Sequence, residues 1–537
     1  MTIRILDNSN IAENYPGVCS PMTCSFAELV YSLVFGRLVD RMGLSQDVGD
    51  VVDSMVATHQ GRLYYRLDNW LRLLQLLPFS SRIIPVWKRS LAIGEVNVGS
   101  SAKLSWIAAT RGILRLIRTW GQTPKLMDQL AGEFREVHQV YDSFGELNQH
   151  TNVDLEKLFS QIQHSVLHTW DVTLINDLRA FWFTSRVEET RRDVQDLMLA
   201  SVEPLRVLSE IAESMDDRTR EILEKLSTDE ESRGWLNTEL TDVIQERTRQ
   251  AMGQYLQTFA DRVPGELKLE TKTFRTHPLG FIQVVLDTPT DSSTDHTLGA
   301  GDRLRSSRLS KKARQAVAYR ESSRLARAQL FGMVRAIVRA VGENLVGAGH
   351  LDNVEDVFYL TIDELFTTTE DCPSIVAARQ HQWEGFEEHD PPSRLLLDDQ
   401  GQPHGSPVDA DDLQSPSPTF EGTPVHVTTV AGIPVSVGVV EAEVVVVTDP
   451  RDGIDATGKI LVARSTDPGW VFLMRQSVGI IAERGSLLSH AAIVARELGL
   501  PCVVGAPDVT TWLTTGDLVR LDGSTGHIEK MDGTHDR

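Results

Sequence analysis

The sequence predicts a multi-domain protein with a mainly α-helical N-terminal body and a C-terminal α/β domain. Three observations carry this. Apolar residues recur at three- and four-residue spacing through about the first 380 residues. A stretch rich in Pro, Asp, Ser and Gln then interrupts the chain. Short β-branched runs dominate beyond about residue 424. The expected boundaries are a helical body over 1–384, a flexible linker over 385–423 and the α/β domain over 424–531.

In the body, SFAELVYSLVFGRLVDRMG (25–43), LDNWLRLLQLLPF (67–79), SWIAATRGILRLIRTWG (105–121) and EPLRVLSEIAESMDDRTREILEKLS (203–227) keep helical period. Gly43, Pro78 and Gly121 are read as helix stops. The tryptophans at 70, 87, 106, 120, 170 and 182 are read as packing bulk. TDSSTDHTLGAGDR (290–303) reads as an exposed loop. The linker sequence EEHDPPSRLLLDDQGQPHGSPVDADDLQSPSPTFEG (387–422) is poor in aromatics and reads as extended and mobile. Beyond it, VHVTTVAGIPVSVGVVEAEVVVVT, GKILVARS, GIIAERG, PCVVG and LVRLD read as strands, and HAAIVAREL as a short helix.

Composition narrows the function. The 537 residues hold 53 Lys+Arg against 75 Asp+Glu, a net charge of −22. This argues against nucleic acid or an anionic membrane as partner, since both demand a basic face. No unbroken apolar stretch long enough to span a bilayer is read, and no signal peptide. Cys19, Cys24, Cys372 and Cys502 form no CxxC pair, so neither a metal site nor a disulfide framework is expected, and a cytoplasmic location is.

The stretch that carries chemistry is ERGSLLSHAAIVARELGLPCVVG (483–505). A strand runs into a Gly/Ser loop, Ser489 takes the N-cap place, His490 opens a helix, and Gly499 with Pro501 ends it. The unpaired N–H groups and positive dipole end of such a helix would stabilise a phosphoryl group on His490. The same field disfavours imidazolium and leaves a nitrogen lone pair for attack. Gly485 permits close backbone approach, and Ala491, Ala492 and Ala495 keep the helix slim against the sheet.

This segment, with GIPVSVGVVEAEVVVV (432–447) and ILVARSTDPGW (460–470), resembles the swivelling phosphohistidine domain of the phosphoenolpyruvate-utilising enzymes. That group includes phosphoenolpyruvate synthase, pyruvate phosphate dikinase and rifampin phosphotransferase. Ser486 stands where the family usually has Gly, and Leu488 where many dikinases have Thr. NIAENYPGVCSPMTCSF (10–26) is similar to the segment after the ATP-grasp domain in rifampin phosphotransferase-like chains. RLARAQLFGMVRAIVRAVGENLVGAGHLDNVEDVFYLTIDELF (324–366) resembles the segment upstream of the swivelling domain.

The resemblance implies a phosphotransferase that carries phosphate on His490, converts ATP to AMP and passes phosphate to an acceptor, here a small organic hydroxyl compound. The family's ATP-grasp domain would precede residue 10 and its phosphoenolpyruvate-binding barrel would follow the swivelling domain; neither is read in this sequence, which also lacks a Walker loop. The expectation is therefore no cofactor on this chain alone, with ATP and Mg2+ supplied by a separate ATP-grasp protein like the ATP-binding part of phosphoenolpyruvate synthase. Alternatives are a component of a split phosphoenolpyruvate synthase and a catalytically silent regulatory or scaffold homologue.

A basic stripe lies in RESSRLARAQLFGMVRAIVRA (320–340), where Arg320, Arg324, Arg327 and Arg335 share about one quadrant of a helix. Guanidinium forks suit phosphate oxygens, and Glu321 would orient Arg320 or act as base on an acceptor hydroxyl. The competing reading is a solvated face paired with carboxylates. Asp467 reads as a turn residue near the loop. His277, His350 and His381 read as ordinary histidines, and Cys502 as packing.

Overall fold

The structure, a computed structural model, describes residues 4–8, 11–44, 51–75, 106–188, 203–227, 244–286, 288, 308–367, 372–388, 391–392, 394–398, 429–448, 454–466, 470–485 and 489–531. It has an α-helical N-terminal body and a C-terminal mixed α/β sheet domain. The loop expected at 290–303, Pro78, Trp87, Ser486, Asp467 and Leu488 lie outside the described residues. Chain contacts divide the molecule into two compact units. One comprises Met1–Arg179, Leu267–Glu270 and Gly332–Val427; the other comprises Ala180–Glu266, Thr271–Phe331 and Thr428–Arg537.

The first unit opens with β1 (Arg4–Asp7) and α1 (Pro21–Met42). Ser20 caps α1: its hydroxyl accepts from the Thr23 N–H at 3.1 Å, and Pro21 takes the first helical place, where a missing N–H costs nothing. Glu270 holds this corner. Its carboxylate accepts from the Ser20 N–H (3.0 Å), the Ser20 hydroxyl (2.8 Å) and the Thr23 hydroxyl (2.5 Å). Gly43, with φ +71°, ends the helix as its sequence position predicts. Among the described residues α1 is the one helix whose length and apolarity would suit a bilayer, although Glu28 and Arg37 interrupt its apolar run. Core helices pass the same test, and Met22, Phe26, Ala27, Val34 and Phe35 of α1 are buried inside this unit.

The body is not purely helical. β2 (Val56–His59) and β3 (Arg62–Arg66) form a hairpin, α2 (Leu67–Gln75) follows, and the sheet order is β2-β3-β1-β4. β4 is Arg394–Leu397, antiparallel to β1 with Ile5 opposite Leu396. These four residues fall inside the stretch expected to be an extended linker. Their apolar run RLLL belongs to the body because it finds an open strand edge, and Arg394 forms a buried ion pair with Asp7 at 2.6 Å.

α3 (Trp106–Phe144) also departs from expectation, because it runs straight through Gly121 and Pro124. Proline has no N–H to give the carbonyl four residues back. That carbonyl, on Trp120, instead accepts from the Arg179 guanidinium of α5. α4 (Asn152–Ser165) and α5 (Asp171–Glu188) complete this part.

In the second unit, α6 (Glu203–Ser214), α7 (Asp217–Ser227), α8 (Glu246–Phe259) and α9 (Pro278–Leu286) bury Leu208, Ile211, Leu223, Met252, Tyr255 and Phe281. α10 (Arg308–Gly347) belongs to both units, and α11 (Cys372–Glu387) lies in the first.

The α/β domain contains β5 (Thr429–Ala431), β6 (Ile433–Ser436), β7 (Val439–Val447), β8 (Ile460–Ala463), α12 (Val471–Gln476), β9 (Gly479–Ala482), α13 (His490–Leu498), β10 (Cys502–Val504), α14 (Val509–Trp512), β11 (Leu518–Asp522) and β12 (His527–Lys530). Its eight strands run in the order β5-β12-β11-β7-β8-β9-β10-β6. The central run β7-β8-β9-β10 is parallel, and the flanks are antiparallel. Side-chain alternation gives two cores. Leu461, Ala463, Ile480 and Val504 pack with Met474, Ala491 and Ala495 on one face. Ile460, Val462, Ile481 and Val503 pack with Val509, Val519 and Leu521 on the other.

Candidate functional site

Three parallel strands end at one level. Ala463 of β8 pairs with Ala482 of β9, which pairs with Val504 of β10. Loops leaving the carboxyl ends of parallel strands are where open α/β sheets place their ligands. The β8 and β9 chains stay in step beyond the strands, with the Glu483 N–H on the Ala463 carbonyl (2.9 Å) and the Arg484 N–H on the Arg464 carbonyl (2.7 Å).

The β9 loop returns through Ser489 into α13. Gly485 has φ +147°, a conformation open to glycine. A Cβ there would lie 3.0 Å from the Ser489 hydroxyl and 3.1 Å from the Val504 Cβ. Gly485 is therefore required on two counts, backbone angle and space. Ser489 occupies the N-cap position in extended conformation and is 6% exposed. Its hydroxyl makes no capping bond to the helix, so the first-turn N–H groups have no side-chain cap from it. His490 is the first helical residue. Ala491, Ala492, Val494 and Ala495 are fully buried against the sheet. The far end closes with Gly499 at φ +67°, the Gly499 N–H on the Arg496 carbonyl (3.3 Å) and the Leu500 N–H on the Ala495 carbonyl (2.9 Å). Arg496 donates from Nε to the Val435 carbonyl at 2.6 Å and places a cation at the negative helix end.

Two residues beside the loop carry no signal in the sequence reading. Glu483 pairs with Arg464 at 3.6 Å and accepts from the Thr510 N–H at 3.2 Å and from the Thr510 hydroxyl, tying the β9 loop to α14. Thr466, in the β8 loop, is 4% exposed, and its hydroxyl is buried without a hydrogen-bond partner. The cue was its place one residue before Asp467, in a loop that register brings beside the β9 loop. Cys502 is fully buried and its thiol pKa is pushed up by that burial, which suits packing.

The stripe residues occupy α10. Arg320, Arg324 and Arg327 are partly buried, so they do not form a fully solvated face. Glu321 is 7% exposed and lies 3.4 Å from the Arg324 guanidinium. Arg335 does not belong with them. It is 1% exposed in the first unit and donates to the Leu269 (3.2 Å) and Lys268 (3.0 Å) carbonyls. α10 is buried almost all round from 328 to 342, so helical period alone could not tell which face is outward there. The structure thus brings Gly485, Ser489 and His490 together on one loop–helix unit, and Arg320, Glu321, Arg324 and Arg327 on a separate helix. Among the described residues no group of three or more His, Cys, Asp or Glu is placed to hold a metal.

Comparison with known proteins adds homology. The family described as "PEP-utilising enzyme, mobile domain" matches residues 454–526, which contain the whole β8–α13–β10 unit. An uncharacterised protein of Mycobacterium tuberculosis is 29% identical over 271 residues, 50% of this chain and 30% of that protein. Rifampicin phosphotransferase of Bacillus cereus is 29% identical over 221 residues, covering 41% of this chain and 24% of its own. Phosphoenolpyruvate synthase of Aeropyrum pernix is 38% identical over 120 residues, 22% of this chain and 15% of that one. The chain spans less than a third of the length of each of these relatives. It is homologous to the phosphoenolpyruvate-utilising and rifampicin phosphotransferase-like proteins through these regions.

Proposed function

We propose that this chain is a phosphotransferase subunit whose α/β domain carries a phosphoryl group on His490. The observation that carries the reading is the loop–helix unit at the sheet's carboxyl edge: Gly485 at φ +147°, then Ser489 in the N-cap position and His490 opening the helix. The first-turn N–H groups and the helix dipole favour added negative charge at this point. A ring nitrogen of His490 attacks phosphorus, and the P–N bond forms as the donor's P–O bond breaks. In the second step an acceptor hydroxyl oxygen attacks phosphorus and the P–N bond breaks. The hydroxyl proton passes to a base, for which Glu321 is the candidate, while Arg320, Arg324 and Arg327 take the phosphate oxygens. Thr466 is a candidate to position the imidazole. The donor is ATP with Mg2+ held by a separate ATP-grasp protein, and the acceptor is a small organic hydroxyl compound; both assignments rest on homology to rifampicin phosphotransferase and phosphoenolpyruvate synthase.

The test uses chemical phosphorylation by phosphoramidate, which needs no partner, followed by labelling from ATP in the presence of the ATP-grasp protein. Intact mass and acid lability report phosphohistidine. Wild type gains one acid-labile phosphoryl group and His490→Ala gains none at that site, with unchanged circular dichroism. Equal labelling of His490→Ala defeats the proposal.

A further inference from the structure

The outer face of α3 has a composition at odds with the rest of the chain. From Trp106 to Met127 this helix contains no Asp or Glu, in a protein of net charge −22. Its inner face is buried through Gly112, Thr119, Thr123, Met127 and Leu130. The opposite face exposes Leu114 (61%) and Ile117 (63%). Arg111, Arg118 and Lys125 are also exposed there, each seven residues from the next. At 100° per residue these three cations form one row, about 21 Å long, with the two aliphatic side chains along its flank. None of the three takes part in an ion pair among the described residues. Arg115 lies near the row but is occupied otherwise: its guanidinium covers Gly43 at the negative end of α1.

Unpaired cations are notable where carboxylates outnumber them, and aliphatic side chains this exposed cost solvation that a partner would relieve. We propose that this ridge is a docking surface for an anionic lipid surface. Three features select that occupant. The exposed face of this one helix carries aliphatic side chains beside a cation row, which is the pattern of interfacial helices. Leu114 and Ile117 would enter the acyl boundary while the long Arg and Lys stems keep their charges at phosphate level. A second copy of this chain fits poorly, because a two-fold contact through this face would set the cation row against itself. The overall negative charge does not forbid the contact, since at 0.1 M salt charges more than about 10 Å away are largely screened. The inference goes beyond the carrier chemistry and stands or falls without it.

The test is flotation of the full chain with phosphatidylcholine vesicles, with and without phosphatidylglycerol. Wild type floats with the anionic vesicles only, and high salt releases it. Arg111→Glu/Arg118→Glu/Lys125→Glu lowers partitioning by about a hundredfold or more. Leu114→Asp/Ile117→Asp also detaches the protein, and both variants keep the wild-type circular dichroism melt. Absence of wild-type flotation overturns the proposal, as does flotation of both variants equal to wild type. So does concentration-dependent dimerisation in sedimentation that Leu114→Asp/Ile117→Asp abolishes, since the ridge would then serve a second copy.

Discussion

Replacing Gly485 by alanine separates the loop's geometry from its chemistry. The new Cβ meets three atoms: the Ser489 hydroxyl at 3.0 Å, the Val504 Cβ at 3.1 Å and the Ser489 Cβ at 3.3 Å. Val504 is fully buried in a parallel strand and cannot retreat, so Ser489 must. The backbone angle of +147° adds strain of about 1–3 kcal/mol for a residue with a Cβ. With relief of the contacts included, the loss should be about 2–4 kcal/mol. Gly499→Ala is the control. Its φ is also positive, at +67°, but nothing lies within 4 Å of its Cβ position, so only about 1–2 kcal/mol of backbone strain applies. Because Ser489 adjoins His490, the first variant should also slow phosphoramidate labelling well beyond the second. The measurements are urea unfolding followed by circular dichroism and the time course of phosphohistidine formation. Equal behaviour of the two variants, in stability or in labelling, would refute the claim that the loop is built around a missing side chain.

Two further outcomes follow from other sites. Arg324→Ala should slow transfer from phosphorylated His490 to acceptor by about 10²–10³, as loss of one charge-stabilising donor does, with little change in melting; unchanged single-turnover rates would return Arg324 to a packing role. In the first unit, Arg379 donates to both Glu364 oxygens (2.6 and 2.9 Å) and holds its carboxyl down from 4.5 to about 2. The folded pKa lies below the unfolded one, so the pair's contribution is whole above 4.5 and is lost as pH falls toward 2. The urea midpoint should therefore drop between those values, and Glu364→Gln should flatten that drop.

The α/β domain was legible because its strands carry long apolar runs and its key helix carries both end signals, Ser489 before it and Gly499 after it. What escaped the sequence has physical reasons. β1 and β4 are four residues each, and the Asp7–Arg394 pair that joins them is separated by 387 positions, so neither announces its partner. Gly121 and Pro124 look like a stop, but the Trp120 carbonyl that Pro124 leaves open is satisfied by Arg179 from another helix. Arg335 fits the stripe by period, yet its targets are two carbonyls at 268–269 that no local pattern foretells. Thr466 matters only through the parallel register of β8 and β9.

The pairing of β1 with β4 also sets a timetable for synthesis. The strand that closes the open edge of β1 is made 387 residues after it. At about 5–20 residues per second, that interval is about 20–80 s. Throughout it Ile5 and Leu6, both buried in the finished protein, lack the Leu395–Leu397 cover. A nascent chain released early would carry an open strand edge of the kind that recruits other strands. The first unit can complete its sheet only after α1 to α11 have all been made, so β1 waits for its edge partner through nearly all of that unit's synthesis.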